Sequence, residues 1–254
     1  MSTNPGPFRF HGGLHLDDHK RESLSGEIQQ ASLAPEFILR VSQHIGEPNK
    51  PLIEIGDHVQ RGQMLAQSAA AVSAPLHAPV DGEIIAIEPR PVAHPSGQDD
   101  LCIIIKPDDA QPVAPDGAKN PNADLLEIIR NAGIVGLGGA VFPTAAKLQT
   151  ALDFKIKTLI INGAECEPYI TCDHRLMQEQ PDKIVRGIEI LQSILQPQQT
   201  LIGIENNKAE AITALQNSVQ RANLTATTVV SIPTVYPSGG EKQLIRILTG
   251  HEIE

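Results

Sequence analysis

Tryptophan is absent from the 254 residues, and aromatic side chains of all kinds make up only 3% of them. A chain so poor in flat rings offers no stacking platform for single-stranded nucleic acid. Basic residues are also outnumbered: 20 Lys and Arg stand against 30 Asp and Glu, a net charge of −10 that argues against any polyanion as the main partner. No apolar run approaches the roughly 20 residues that cross a bilayer, so no transmembrane segment is expected. Met1 to Pro7 has neither the basic nor the apolar part of a secretory signal, which points to a soluble, cytoplasmic chain. The three cysteines, Cys102, Cys166 and Cys172, are odd in number and widely spaced, as suits a reducing compartment better than a disulfide framework. Four thiolates in compact spacing are needed for an iron-sulfur cubane, so this chain cannot build one alone.

What is present is a globular composition, 41% hydrophobic, long enough for one large domain or two modest ones. Residues 1–36 read as a leader with little periodicity. His11, His15 and His19 recur every fourth residue, a metal-ligand spacing on a helix, but Gly12 and Gly13 interrupt that helix and no metal site is assigned. From 37 to 107, short apolar runs broken by Gly and Pro predict a compact β module. Residues 108–122 are dense in Pro, Asp, Asn and Gly, the composition of a linker. Beyond it, in 123–254, a helix over ADLLEIIRNAGI is followed by strands near 157–162, 200–205 and 226–232. These alternate with helices near 181–195 and 208–221. Such alternation implies a parallel sheet with right-handed crossovers, hence a Rossmann-like α/β domain.

Two glycine-rich loops carry the chemistry. In GLGGAVFPTAAK, Gly136, Gly138 and Gly139 remove Cβ atoms from a tight stretch and let backbone amides approach a flat or anionic ligand. Thr144 can cap a helix starting near Ala145, whose free N–H groups and positive dipole end suit a phosphate, and Lys147 adds a full positive charge. Phe142 supplies an apolar rim able to stack on a ring system. The loop is neither of two familiar phosphate motifs. Val141 stands where a dinucleotide fingerprint needs glycine, and no Gly-Lys-Ser/Thr occurs. The second loop, NGAECEP, follows the predicted strand at 157–162. Asn162 can donate and accept there as a heterocycle edge requires, and Glu165 and Glu167 can accept from hydroxyl or amide groups.

GLGGAVFPTAAK followed by INGAECEPYITCDHRLM resembles the FMN and NADH site of the RnfC family, the C-type component of the Rnf electron-transport complex. It is similar, more distantly, to the flavin-binding subunit of respiratory complex I. YPSGGEKQLI, Tyr236 to Ile245, falls where that family has a further glycine-acid loop opening a helix, and the resemblance covers nearly the whole chain. It implies FMN contacts from Gly136, Gly138, Gly139, Lys147, Asn162, Glu165 and Glu241, with Phe142 and Glu167 facing NADH as substrate. Leu137 and Ala164 depart from the complex I pattern, which has an arginine and an acid there, so the FMN contacts are matched more fully than the NADH ones. Within the β module, GDHVQRGQMLA and APVDGEIIAIEP resemble the halves of a biotinyl/lipoyl-type barrel-sandwich hybrid. The hairpin between them has no lysine from Gln67 to His77, so a structural role is expected.

The resemblance further implies an NADH-linked flavin oxidoreductase subunit with no acid-base side chain. It would sit peripherally on the cytoplasmic face of the inner membrane, in an ion-translocating complex with other subunits. A small ubiquitin-like domain and then a ferredoxin-like domain bearing two iron-sulfur clusters would follow Glu254, so this piece is not expected to be competent alone. The alternatives are a relative of the A-type component of the sodium-translocating NADH:quinone reductase, and a non-catalytic docking module of a membrane complex.

Overall fold

The computed structural model describes residues 8–93, 97–111, 124–137 and 139–253. Most of the expected linker at 108–122, together with Gly138, lies outside them. The chain forms two compact units, one from Ala31 to Phe154 and one combining the residues up to Gln30 with Lys155 onward. The single helical turn α1 (Lys20–Ser23) belongs to the second of these.

The Ala31–Phe154 unit holds β1 (Phe37–Arg40), β2 (Lys50–Pro51), β3 (His58–Val59), β4 (Met64–Gln67), β5 (Leu76–His77), β6 (Gly82–Pro91) and β7 (Asp99–Pro107). Two short helices, α2 (Leu125–Asn131) and α3 (Thr144–Phe154), follow. β1, β7, β6 and β3 form one antiparallel sheet and β2, β4 and β5 another. Both contribute to one apolar core, with Leu65 from one sheet and Val59, Ile84, Ile103 and Ile105 from the other at 0% exposure. Side chains of this size each contribute roughly 1.5–3 kcal/mol when fully buried. This is the barrel-sandwich arrangement expected from the sequence, and its lysine-free hairpin is the connection from β4 to β5.

The other unit continues with β8 (Thr158–Asn162), α4 (Cys172–Glu179), α5 (Pro181–Leu195), β9 (Gln199–Glu205), α6 (Ala209–Arg221), β10 (Thr227–Ile232) and α7 (Glu241–Thr249). Its strands pair in parallel in the order β10-β9-β8. Period-two alternation along β9 sends Ile202 and Ile204 to a core with Met177, Val185, Ile188, Ala211 and Leu215, while Leu201 faces Leu244, Ile247 and Leu248 of α7. Both faces of the sheet are therefore covered by helices, as a parallel sheet requires. Pro181 takes the first turn of α5, where its missing N–H costs nothing.

Candidate functional site

Parallel strands deliver the loops after β8, β9 and β10 to one edge, where α/β sheets bind ligands. Asn162 closes β8 and ties this edge together. Its Nδ2 donates to the Gly239 carbonyl at 2.9 Å, and its Oδ1 accepts from the Ala164 amide at 3.1 Å. Gly163 is needed next, because a Cβ there would lie 3.0 Å from both the Gly203 carbonyl oxygen and Ile204, and 3.2 Å from the Met177 sulfur.

Below the loop lies a set of buried charges. Glu205, at the carboxyl end of β9, and Lys208 are both fully buried and form an ion pair. The second Glu205 role is to accept the Glu165 amide at 3.0 Å. Burial alone would push the Glu205 carboxyl upward, but the Lys208 bond and charge and the Glu165 amide outweigh it and hold the group below its ordinary range. Glu165 is 3% exposed, and its Oε1 accepts from the Asp173 amide at 2.8 Å and the Cys172 thiol at 3.4 Å. Its Oε2 has no hydrogen-bond donor and lies 3.9 Å from the Lys20 ammonium. Burial raises this carboxyl above the usual carboxylate value. Cys166 accepts the Gly239 amide at 3.1 Å, and burial with the nearby Glu205 charge pushes its thiol up to about 12. It is a neutral thiol at physiological pH, not an activated nucleophile.

Glu167 is exposed, and its carbonyl accepts from Lys20 at 3.0 Å. Glu241 is exposed at the first position of α7. Ligand atoms of Glu165, Cys172 and Asp173 lie within 4.8 Å of one another, the one such group among the described residues. The Lys20 ammonium already faces the free oxygen of Glu165, so this trio is a poor cation site.

The first glycine loop belongs to the Ala31–Phe154 unit. Its neck is closed by the Gly136 amide donating to the Phe142 carbonyl at 2.9 Å and the Thr144 amide donating to the Ile134 carbonyl at 3.0 Å. Gly139 has φ +96° and open space where a Cβ would stand, a cradle with room for a ligand. Val141, a β-branched residue, also has a positive φ, +47°. Thr144 is the first helical residue of α3, one position inside the expected cap. Lys147 is exposed one turn in, its ammonium 6.0 Å from the Phe142 ring centroid. An open glycine turn, a helix start and a free lysine are the parts a phosphate-bearing cofactor needs.

Sequence reasoning singled out these loops but not Lys20, Glu205 and Lys208 beneath the second of them. Glu205 carried a signal, being an acid at the carboxyl end of a predicted strand. Lys20 carried none, since it sits in a segment without periodicity.

Comparison with known proteins bears on both halves. Residues 8–110 match the family described as the RnfC barrel sandwich hybrid domain, and residues 129–254 match the Nuo51 FMN-binding domain. The chain is 49% identical over 250 residues to the C subunit of the ion-translocating oxidoreductase complex of Vibrio cholerae, covering 96% of this chain and 32% of that protein. The proteins of the same name from Haemophilus influenzae and Serratia proteamaculans are each 46% identical over 250 residues, again 96% of this chain, with 38% and 35% of those proteins covered. The chain thus spans about a third of the length of the curated relatives it matches. A crystal structure of an NAD+-reducing [NiFe]-hydrogenase in the air-oxidized state aligns over 50% of this chain and 23% of its own, at 25% identity and a TM-score of 0.46.

Proposed function

Because the chain belongs, over the length compared, to the RnfC family of ion-translocating oxidoreductase complexes, we propose that it binds FMN and works in an NADH-linked electron-transfer step. The observation that carries this reading is the FMN-binding-domain match over 129–254, which takes in both glycine-bearing loops. FMN, when bound, supplies the two-electron chemistry that accepts a hydride from NADH, so no side chain of the chain need act as acid or base.

The chain's residues have positioning roles. Gly136, Gly138 and Gly139 give backbone amides close access to the cofactor, and Lys147 meets its phosphate. Asn162 and Glu241 hold polar groups of the flavin side, Asn162 also fixing its own loop through Gly239 and Ala164, and Glu165, 3% exposed, serves the cofactor through the loop it anchors and not by direct contact. Phe142 and Glu167 face the nicotinamide nucleotide. Other subunits of a membrane electron-transport complex are the proposed partners, at the cytoplasmic face. No helix among the described residues is long and apolar enough to cross a membrane. Onward transfer is assigned to iron-sulfur clusters outside this chain, because three cysteines cannot hold them. The functional domains proposed are 37–107 and 123–254, although α2 and α3 of the latter cluster with the barrel in the Ala31–Phe154 unit.

The test is a titration of the protein and of Lys147→Ala with FMN and with riboflavin. Loss of a charge-assisted phosphate contact removes about 1.5–3 kcal/mol, so FMN affinity should fall about ten- to a hundredfold while riboflavin affinity changes little. Equal losses for the two ligands would remove the phosphate assignment.

A further inference from the structure

The segment before residue 30 is attached to all three loops at the carboxyl edge of the parallel sheet. Leu14 and Tyr236 exchange backbone hydrogen bonds at 2.8 and 2.9 Å, which engages the loop after β10. Asp18 accepts from the Asn207 side chain at 3.1 Å, after β9, and its carbonyl accepts the Tyr169 amide at 2.9 Å, after β8. At the centre of this run stands Lys20, 5% exposed. Its ammonium donates to the carbonyls of Glu167 at 3.0 Å and Ile170 at 2.7 Å, and lies 3.9 Å from Glu165 Oε2.

A lysine buried this deeply is retained only where its charge is matched and its N–H groups are used. The same holds for Glu165, whose free oxygen has no hydrogen-bond donor. Lys208, the other buried cation here, is paired with Glu205 and donates to the Glu165 carbonyl at 3.3 Å, so the cation facing the Glu165 carboxylate is Lys20. Lys20 is therefore the counter-charge of Glu165 as well as a clamp on two carbonyls of the loop.

We propose that Lys20 is a positioning residue, holding the loop from Glu165 to Ile170 in its ligand-ready shape and neutralising the buried Glu165 carboxylate. The inference rests on the flavin reading above for what the loop serves, and on geometry alone for the clamp. A segment without periodicity thereby becomes part of the site it crosses.

The experiment uses the 254-residue chain with Lys20→Met, Lys20→Arg, Glu165→Gln and the double variant Lys20→Met/Glu165→Gln. Amide hydrogen exchange over 165–173 is followed without ligand, and FMN affinity is titrated with Lys147→Ala as control. Lys20→Met should speed exchange in the loop about tenfold or more, the factor that corresponds to 1.4 kcal/mol, and weaken FMN, while β9 and β10 exchange as before. Glu165→Gln in the same chain should recover a part of both losses, because the unmatched charge is gone while the carbonyl bonds remain broken. Unchanged loop exchange in Lys20→Met, or strictly additive effects in the double variant, overturns the proposal. If Lys20→Met unfolds the whole unit, Lys20→Arg decides: retained charge should keep loop exchange within about threefold of the parent, a difference under 1 kcal/mol. Loop exchange as fast as or faster than a tenfold rise in Lys20→Arg rejects the charge role. A parent protein that fails to bind FMN removes the flavin reading, and the exchange results still decide the role of Lys20.

Discussion

The two compact units bury different things. Among the described residues, the Ala31–Phe154 unit closes around Val59, Leu65, Ile84, Ile103 and Ile105, and its buried polar side chains are only His44 and Asn49. The α/β unit buries Lys20, Glu165, Glu205 and Lys208 as well as His174, all at or near the carboxyl edge of its sheet. Apolar burial is non-directional and needs only volume, whereas a buried charge fixes partner, distance and orientation. The barrel core therefore needs only matched apolar volume. The α/β unit holds charges out of water beneath one loop, and such groups are costly unless the arrangement is used.

Breaking one buried pair is the strongest way to test that difference. Lys208→Met leaves Glu205 ionised, fully buried and without its cation, and should destabilise the α/β unit by about 3–5 kcal/mol. Urea unfolding read by hydrogen exchange in β8, β9 and β10 measures it, with β6 and β7 as the internal reference. Adding Glu205→Gln should return most of the loss, since the amide can still accept from Glu165 and carries no charge. A core truncation such as Ile103→Ala, worth about 2–5 kcal/mol, has no second substitution of this kind that repairs it. If Lys208→Met costs less than about 1 kcal/mol, the buried charges do not distinguish the units.

Acid should sharpen the contrast with a smaller effect. His174 is 4% exposed with neither ring nitrogen hydrogen-bonded, and burial first, then the Lys208 charge, lower its pKa. Lys20 and Arg175 act in the same direction as Lys208, and Glu210 opposes them. A depressed folded value means stability present above 6.5 and lost as pH falls through the folded pKa. Glu205, also lowered, adds a loss that begins further down, below 4.5. Glu165 has the opposite sign: its raised value gives stability present below 4.5 and lost as pH rises through the folded pKa. Between neutrality and about pH 5 the His174 loss should come first. His174→Leu should flatten the stability profile of the α/β unit there without changing that of the barrel, whose Cys102, raised by burial, stays a neutral thiol. An unchanged slope in His174→Leu would assign the acid response elsewhere.

How legible each part was follows from the same contrast. Period-two and 3.6-residue patterns are local, so β8, β9, β10, α5 and α6 could be read from sequence to within about two residues. Glycine loops announce themselves by composition. The charge network does not, because Lys20 meets Glu165 and Ile170 across about 150 intervening positions and nothing in HLDDHK foretells it. Glu205 and Lys208 are three apart and look like a solvated turn until the fold buries them. The glycine loops were singled out by motif order. The atoms beneath them came from tertiary structure.

The smallest expected effect lies in the glycine loop of the other unit. Val141 at φ +47° occupies a region that costs an L-residue about 1–2 kcal/mol, and a β-branched side chain fits it badly. Val141→Gly removes that strain but adds freedom to the unfolded chain worth about 0.5–1 kcal/mol, so the net gain should be roughly 0.5 kcal/mol. The neighbouring bond from the Gly136 amide to the Phe142 carbonyl closes the loop neck and should survive the change. Strain kept at such a position is expected where a loop is pre-shaped for a ligand, because a looser loop must be ordered on binding. Val141→Gly should therefore raise the stability of the Ala31–Phe154 unit slightly while weakening FMN severalfold. Thermal unfolding and flavin titration on the same preparation check both signs. A variant that gains stability and binds FMN as tightly as the parent would show that the strain at Val141 does nothing for the site. The part this unit plays in the proposed site would then rest on the loop glycines, Phe142 and Lys147, without help from a pre-strained backbone at Val141.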